Sequence, residues 1–498
     1  MRTLHVLPLL VAAAALGCSP DSAVTPADKF DPIQVTGDFI VAPDTSLLVV
    51  GGGRRLAVED MSQLYKAIVG RANWRSSNPA VATVDGAGYV HALGEGMTTI
   101  SVTINGRSAG APVFVQRYPA PLRFVQVSVG SSHACGVTSD GAIYCWGDNS
   151  LSELGATRPS DSCEAYYNGS LGFHRWVSRC SAAPVRVQSG EHFTSVVVRP
   201  GSTCALNAGG ALFCWGRVAG ENEVVWPLPR RTGGDRVYAS VSPPCALTVD
   251  GDAYCWGSNE HGNLGLGAKT PESVSSLDPV PVSGGVKWKA VSSNGDTSCG
   301  LSMDGALYCW GENWHAQLGL GPDLPPDSIL DCFFGCRSAP TRVPTTVTFA
   351  QLSVGTVSDC ALTAEGEAYC WGFRRSGDLI YSPTSAGPQR FRSLATGDME
   401  SCAISLDSHL FCWGAGAYLS TLMPPALDPT AVNLPVVVSS VAAPAFVGTC
   451  GIGTDQILYC WSSSNLLRGA GELMAAGYNS GLSMPDTMPE FSEVLGQR

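Results

Sequence analysis

The chain reads as all-β: a small sandwich followed by seven copies of one hairpin unit at the spacing of propeller blades. Three observations carry this reading. A cysteine is followed by another ten positions later at Cys135 and Cys145, Cys204 and Cys214, Cys245 and Cys255, Cys299 and Cys309, Cys360 and Cys370, Cys402 and Cys412, and Cys450 and Cys460. In every unit the second cysteine is preceded by Tyr or Phe and followed by Trp, as in Tyr308-Cys309-Trp310. Between residues 32 and 117, short β-branched runs alternate with glycine at the rhythm of a sandwich. Composition excludes other classes: with 45% hydrophobic and 14% charged residues the chain has ample apolar material to order itself. A formal charge of −12 has the wrong sign for a nucleic-acid backbone or an anionic bilayer, and 19 cysteines are too many for a reducing cytosol.

Residues 1–17 read as an export signal, with Arg2 as its positive end and an apolar run from Leu7 to Leu16, broken by Pro8, too short for a permanent span. Its end, Ala15-Leu16-Gly17-Cys18, resembles the bacterial lipobox. The resemblance implies cleavage before Cys18 and lipidation of that residue. Ser19, where the enterobacterial sorting rule wants Asp for inner-membrane retention, points to the outer membrane or cell surface. An ordinary signal peptide with a stray cysteine is the alternative. Residues 18–31, polar and carrying Pro20 and Pro26, read as a tether, and no later stretch reaches the roughly 18 apolar residues of a spanning helix. The lipid would then be the sole membrane anchor.

In the sandwich segment, Trp74-Arg75-Ser76-Ser77-Asn78-Pro79-Ala80-Val81-Ala82-Thr83-Val84-Asp85, followed by Gly88, Val90, Ala92, Gly94 and Gly96, resembles the group 2 bacterial immunoglobulin-like domain. The resemblance implies an Ig-like β-sandwich over residues 32–117, serving as a stalk or, alternatively, as a binding module, with Trp74 in its core.

Residues 118–498 hold the repeats. The midpoint of each cysteine pair is Asp140, Gly209, Asp250, Asp304, Glu365, Asp407 or Asp455, with glycine next in the first five. That suits a three-residue hairpin loop whose glycine takes a positive φ. An odd loop centred there sets the two cysteines opposite each other on adjacent strands, within reach of a disulfide. Each hairpin is therefore expected to staple itself, at about 2 to 3 kcal/mol per bond by chain entropy. Zinc is the competing reading, but no histidine recurs at a fixed offset and two opposed cysteines supply two ligands only.

Glycine follows the tryptophan in six units, and several units then carry Glu153-Leu154-Gly155, Asn263-Leu264-Gly265 or Gln317-Leu318-Gly319, with echoes at Asp378-Leu379 and Glu472-Leu473. Upstream, an apolar strand ends in glycine, as in Val127-Ser128-Val129-Gly130. The set resembles the regulator of chromosome condensation repeat, which implies a seven-bladed β-propeller. Ser462 after the seventh tryptophan, and Ser408 and Gln456 at the last two turns, depart from the pattern and suggest irregular blades there. Closure is expected from a strand at Pro489-Glu490-Phe491 on the blade of Cys135.

The remaining cysteines fall in the two longest insertions and are read as clasps, Cys163 with Cys180 and Cys332 with Cys336, with crossed pairing as the alternative. These insertions and their surroundings gather Tyr166, Tyr167, Phe173, Trp176, Phe333 and Phe334, with Trp314 and His315 nearby, which makes them candidate binding loops. The alternative is that these rings pack their own loops. No catalytic residue, metal site or cofactor is expected. Gly106-Arg107-Ser108-Ala109-Gly110 matches the G-x-S-x-G pattern but lies between strands, before Pro112, and reads as a turn. His133 sits two residues before the first hairpin cysteine, where other units have unrelated residues. The expected function is that of a monomeric, lipid-anchored envelope or surface protein whose propeller binds a protein or glycan partner, without nucleic acid and without catalysis. The rivals are an inhibitor of an extracytoplasmic enzyme, a propeller hydrolase and a nucleotide-exchange factor.

Overall fold

The computed structural model describes residues 39–42, 46–51, 53–60, 72–104, 106–117, 122–130, 132–156, 161–169, 172–218, 224–267, 276–323, 335–373, 378–397, 400–414, 428–432, 437–442, 449–461 and 492–493. Cys18, Cys332, Phe333 and Phe334 lie outside them, as does the echo at Glu472-Leu473. Among the described residues every regular element is a strand.

The N-terminal strands form three small sheets around one core. Ser46–Val49, Arg107–Gln116, Gly96–Ile104 and Asn73–Ser76 make the largest sheet, in which Ser46–Val49 runs parallel to its neighbour. Strict alternation along Arg107–Gln116 sends Ala111, Val113 and Val115 inward to meet Val58, Val90, Ile100 and Val102. Trp74 lies half-buried against this core. The Gly106 turn joins the two long strands at φ +79°, and Ser108 bonds the Thr103 hydroxyl at 2.8 Å across the hairpin. The sandwich leans on the propeller where Phe114 packs against Ala156 and Val185, and the Gln116 amide donates to the Pro184 carbonyl at 3.3 Å.

The rest is a seven-bladed β-propeller. Blade 4 shows the plan: Trp288–Ser293 innermost, then Thr297–Ser302, Leu307–Gly311 and Arg337–Arg342, each antiparallel to the last. The cysteine hairpin always forms the second and third strands. Blade 1 adds a fifth strand, because the first insertion is itself a hairpin of Asp161–Gly169 and Gly172–Arg186. Blades 5 and 6 share one strand, Leu379–Thr396, whose first part edges blade 5 and whose last part is the inner strand of blade 6.

Within a blade, an aromatic residue at the start of the inner strand meets the aromatic before the second cysteine edge to face: Phe193 on Phe213, Tyr238 on Tyr254, Trp288 on Tyr308, Phe349 on Tyr369 and Phe391 on Phe411, at 5.5 to 6.4 Å. Between blades, inner-strand side chains bond the next blade's main chain. Ser128 accepts from Val198 N at 2.9 Å, Ser242 from Ser293 N at 3.0 Å, Ser292 from Val354 N at 3.1 Å and Ser353 from Thr396 N at 2.8 Å.

Two sequence expectations are corrected. The outer strand of blade 1 is Gly172–Arg186, and the C-terminal strand, Ser492–Glu493, pairs instead with Tyr459 and Cys460 of blade 7; Pro489-Glu490-Phe491 lies outside the described residues. Among the described residues each blade is therefore built without an exchanged strand. The ring closes by packing, with Phe124, Ala134 and Tyr144 of blade 1 clustered against Cys450, Ile452 and Leu458 of blade 7. The last two hairpin turns are also regular: Ser408 and Gln456 take φ 69° and 63°, matching the 80° to 84° of Gly141, Gly251, Gly305 and Gly366.

The turn geometry makes a differential prediction. Gly305→Ala places a Cβ at positive φ, 3.0 Å from the Phe349 carbonyl, and should lower stability by about 1 kcal/mol. Ser408→Ala, where a Cβ is already accommodated, should stay within about 0.5 kcal/mol of the parent in chemical denaturation. Equal losses would remove this account of the turn.

Candidate functional site

By the antiparallel order, the cysteine-hairpin turns lie on one face of the ring, and the connections following each tryptophan lie on the other. The second face carries both long insertions and is built around a repeated loop. After Trp146, Trp256 and Trp310 the chain turns through Asn149, Asn259 and Asn313, whose side-chain oxygens accept from Leu154, Leu264 and Leu318 N at 3.0 to 3.1 Å. The side chains of Glu153, Asn263 and Gln317 fold back to accept from Leu151, His261 and His315 N at 2.6 to 3.0 Å. Each loop thus closes on itself and turns its main chain toward the next blade.

What it offers there is a carbonyl. Trp215 donates its indole N–H to Glu153 O at 2.7 Å, Trp310 to Asn263 O at 3.1 Å and Trp371 to Gln317 O at 2.7 Å. The leucine that follows is buried at each site. The glycine after it takes φ 60° to 65°, and its α-carbon lies so close to the indole that a Cβ would stand 2.8 to 3.0 Å from the ring. The Leu-Gly motif is therefore a bolt between neighbouring blades. The asparagine three residues after each tryptophan was detectable at a fixed offset, although only the Leu-Gly pair drew attention in the sequence. The echo at Asp378-Leu379 is no such loop: Leu379 opens the strand shared by blades 5 and 6.

A second device places a polar residue of one blade against the disulfide of the one before. Thr203 lies 3.9 Å from the Cys135 sulfur, Ser298 3.6 Å from Cys245, Asp359 3.8 Å from Cys299 and Ser401 3.4 Å from Cys360. The hairpins of Cys135–Cys145, Cys204–Cys214, Cys245–Cys255, Cys299–Cys309, Cys360–Cys370 and Cys402–Cys412 are closed by disulfides with Cα atoms 4.0 to 4.1 Å apart. Cys450 faces Cys460 across the last hairpin, and Cys450, Cys180 and Cys336 are disulfide-bonded as well. The side chains of Cys163 and Cys460 lie outside the described residues, as does Cys332. Glu400, Cys402 and Cys412 converge within 4.8 Å, but the two sulfurs are spent on each other and leave one carboxylate, too few donors for a metal.

Electrostatics at the blade junctions is dominated by burial. Desolvation pushes the carboxyls of Glu153 and Glu400 up to about 7 and that of Asp359 well above the usual range. Burial drives His133 down to about 3. Thr203 donates to Glu153 O at 3.1 Å, so the 2.8 Å contact between Thr203 and His133 Nε2 requires the Nε2–H tautomer, leaving His133 Nδ1 without a partner.

The candidate binding residues scatter. Tyr166 and Tyr167 fall in the outermost strand of blade 1, where Tyr166 pairs with Arg175 and Tyr167 with His174, while Trp176 pairs with Ala165. Their side chains, like that of Phe173, lie outside the described set. Trp314 is 51% exposed on the blade 4 loop, its ring 5.7 Å from His261 of blade 3, and His315 meets Phe373 of blade 5 at 5.7 Å.

Comparisons with known proteins agree with this architecture. Models of the regulator of chromosome condensation (RCC1) repeat match residues 124–152, 250–301 and 304–361, and a model of the intimin immunoglobulin-like domain matches residues 70–105. The ultraviolet-B receptor UVR8 of Arabidopsis thaliana is 26% identical over 52% of this chain and 43% of its own length. The probable E3 ubiquitin-protein ligase HERC6 of Homo sapiens is 33% identical over 27% of this chain and 12% of its own. The chain thus spans less than half the length of these relatives. Yeast RCC1 (Prp20), solved bound to Kap60, superposes with a TM-score of 0.52 at 17% identity, covering 64% of this chain and 78% of that one, a likeness of fold.

Two predictions follow from the junctions. Glu153 has a folded pKa near 7 against an ordinary 4.5, so the stability linked to its protonation is complete below about pH 4.5 and is lost as pH rises through 7. Glu153→Gln, which copies Gln317 of blade 4, should raise the melting temperature at pH 8, with much less gain at pH 5; His133, titrating in the opposite sense, is common to both proteins. Trp371→Phe leaves the Gln317 carbonyl unpaired and should lose about 1 to 3 kcal/mol. Trp413→Phe should lose less, because the Trp413 N–H has no acceptor among the described residues; equal losses would deny the indole bond its role.

Proposed function

We propose that this propeller of RCC1 repeats serves as an exported, lipid-anchored interaction module of the cell envelope or surface, tethered through Cys18 and spaced from the membrane by a group 2 immunoglobulin-like stalk. The observation that carries the reading is the set of hairpins each closed by its own disulfide. Such pairing is rare where thiols are kept reduced and common where proteins are secreted. The loop face, with its two insertions and exposed Trp314, is the surface proposed to meet a protein or glycan partner.

Binding rather than catalysis is favoured by how the buried polar groups are used. Thr203, Asp359 and Ser401 face disulfides, and the Glu153 carbonyl serves a neighbouring indole. The ligase activity in the name of HERC6 belongs to a protein of which this chain matches 12%, so it is not carried over.

The test has two parts. Thiol titration of denatured exported protein should find essentially no free sulfhydryl, and Cys18→Ser should move the protein from the membrane to the soluble exported fraction. A photo-crosslinker at position 314 on intact cells should capture one reproducible partner, whereas the same group at position 303, on the hairpin-turn face, should not. Abundant free thiols, or equal capture from both faces, would overturn the reading.

A further inference from the structure

Half of the large hydrophobic side chains exposed among the described residues stand on the hairpin-turn face of the ring: Val125, Val237, Val249, Met303, Leu406 and Val437, at 47 to 68% exposure. Of the others, two belong to the sandwich, three lie on outer strands, and Trp314 stands on the loop face. Val249, Met303 and Leu406 occupy one position of the cysteine hairpin, directly before the acid of the turn. Ser139, Ala208 and Thr454 fill that position in other blades, and all six turns close through the same main-chain bond at 2.8 to 3.0 Å. The hairpin therefore has no need of an aliphatic side chain there. Val237 and Val437 adjoin the turns, their carbonyls accepting from Val249 N and Thr454 N at 3.1 Å, and Val125 stands at the bulge of the first inner strand, level with the Thr138 turn.

The same face matches its acids with bases. Lys287 pairs with Asp252 and Arg390 with Glu367, each at 2.7 Å, and Arg231 with Asp235 at 3.2 Å. The turn acids Asp140, Asp304 and Asp455 lie in the attractive fields of Arg186, Arg342 and Arg123. On the loop face like charges adjoin, Glu153 with Asp148 and Glu312 with Asp296. In a chain of net charge −12, the apolar tips thus project from the face where charge is compensated.

We propose that the hairpin-turn face is a docking surface for a zwitterionic phospholipid bilayer, entered at headgroup depth by Val249, Met303 and Leu406. The tips stand on five different blades. A protein hot spot is a compact patch sealed from water, whereas a fluid bilayer takes up separate side chains one by one. Without excess cations the face gains nothing from anionic lipid. The inference rests on the reading of the protein as lipid-anchored and adds an orientation to it. Twenty residues separate Cys18 from Phe39 and reach at most about 70 Å when extended, so the anchor keeps the ring near the membrane without turning it. The apolar tips turn it, and Trp314 then points away from the bilayer.

The probe is a phosphatidylcholine vesicle, and the protein is the full mature chain carrying Cys18→Ser, so that no lipid anchor contributes. Flotation with vesicles is expected at millimolar lipid, a contact too weak to survive the dilution of cell fractionation. Combined Val249→Ser, Met303→Ser and Leu406→Ser should lower the bound fraction at least tenfold, Trp314→Ser should not, and neither added salt nor phosphatidylglycerol should change it. A fluorescent amino acid at position 303 should be quenched by brominated phosphatidylcholine, and one at position 314 should not. Melting curves establish that each variant is folded, and if the triple variant is not, the quenching decides alone. No flotation, equal flotation of the triple variant, equal quenching at both positions, or binding that needs phosphatidylglycerol and is lost in salt overturns the proposal. Release of Cys18→Ser from cell membranes and face-specific crosslinking at position 314 would still leave the broader reading standing.

Discussion

Three indole N–H groups enclosed between sheets, those of Trp215, Trp310 and Trp371, take their acceptor from the neighbouring blade. The requirement fixes much else. The supplying loop must bring a main-chain carbonyl to the junction, so it closes on itself through Asn149, Asn259 or Asn313. It must then pass flat across the ring, so a glycine follows at positive φ. The leucine between fills the space beneath. Inner-strand serines add main-chain bonds at the rim of the channel, so neighbouring blades are fastened at two depths.

Stapling acts at a different level. Each disulfide ties two strands of one blade, and the link to the next blade is made by a hydroxyl or carboxyl set against the sulfur. The staples hold each blade's own hairpin, whereas the ring as a whole is held by packing and junction hydrogen bonds. This division explains why the buried carboxyls of Glu153 and Asp359 collect at junctions. There burial outweighs the main-chain hydrogen bonds that the local geometry supplies, to Glu153 from Leu151 and to Asp359 from Gly355, and the attraction of Arg217 for Glu153.

Much of this was legible in the residues, because a repeat states its rules several times. The ten-residue cysteine spacing, the flanking aromatics and the turn glycines each specify a local geometry. What was not legible depended on long-range partners. Nothing near Ser492 says that it pairs with Cys460, and two or three residues of strand carry too little pattern to choose among seven edges. The irregularity expected at Ser408 and Gln456 came from treating glycine as obligatory; the Ser405 hydroxyl bonds Asp407 and holds the turn without it.

Because no described blade borrows a strand from the far end of the chain, each is one uninterrupted stretch, and every described cysteine pair closes a span of ten residues. A polypeptide delivered from its N-terminus can therefore complete and oxidise one unit before the next has arrived. Within these hairpins the correct sulfur is the nearest one to come along, so their assembly needs little search among alternatives, and the long-range step that remains is the docking of the last blade on the first.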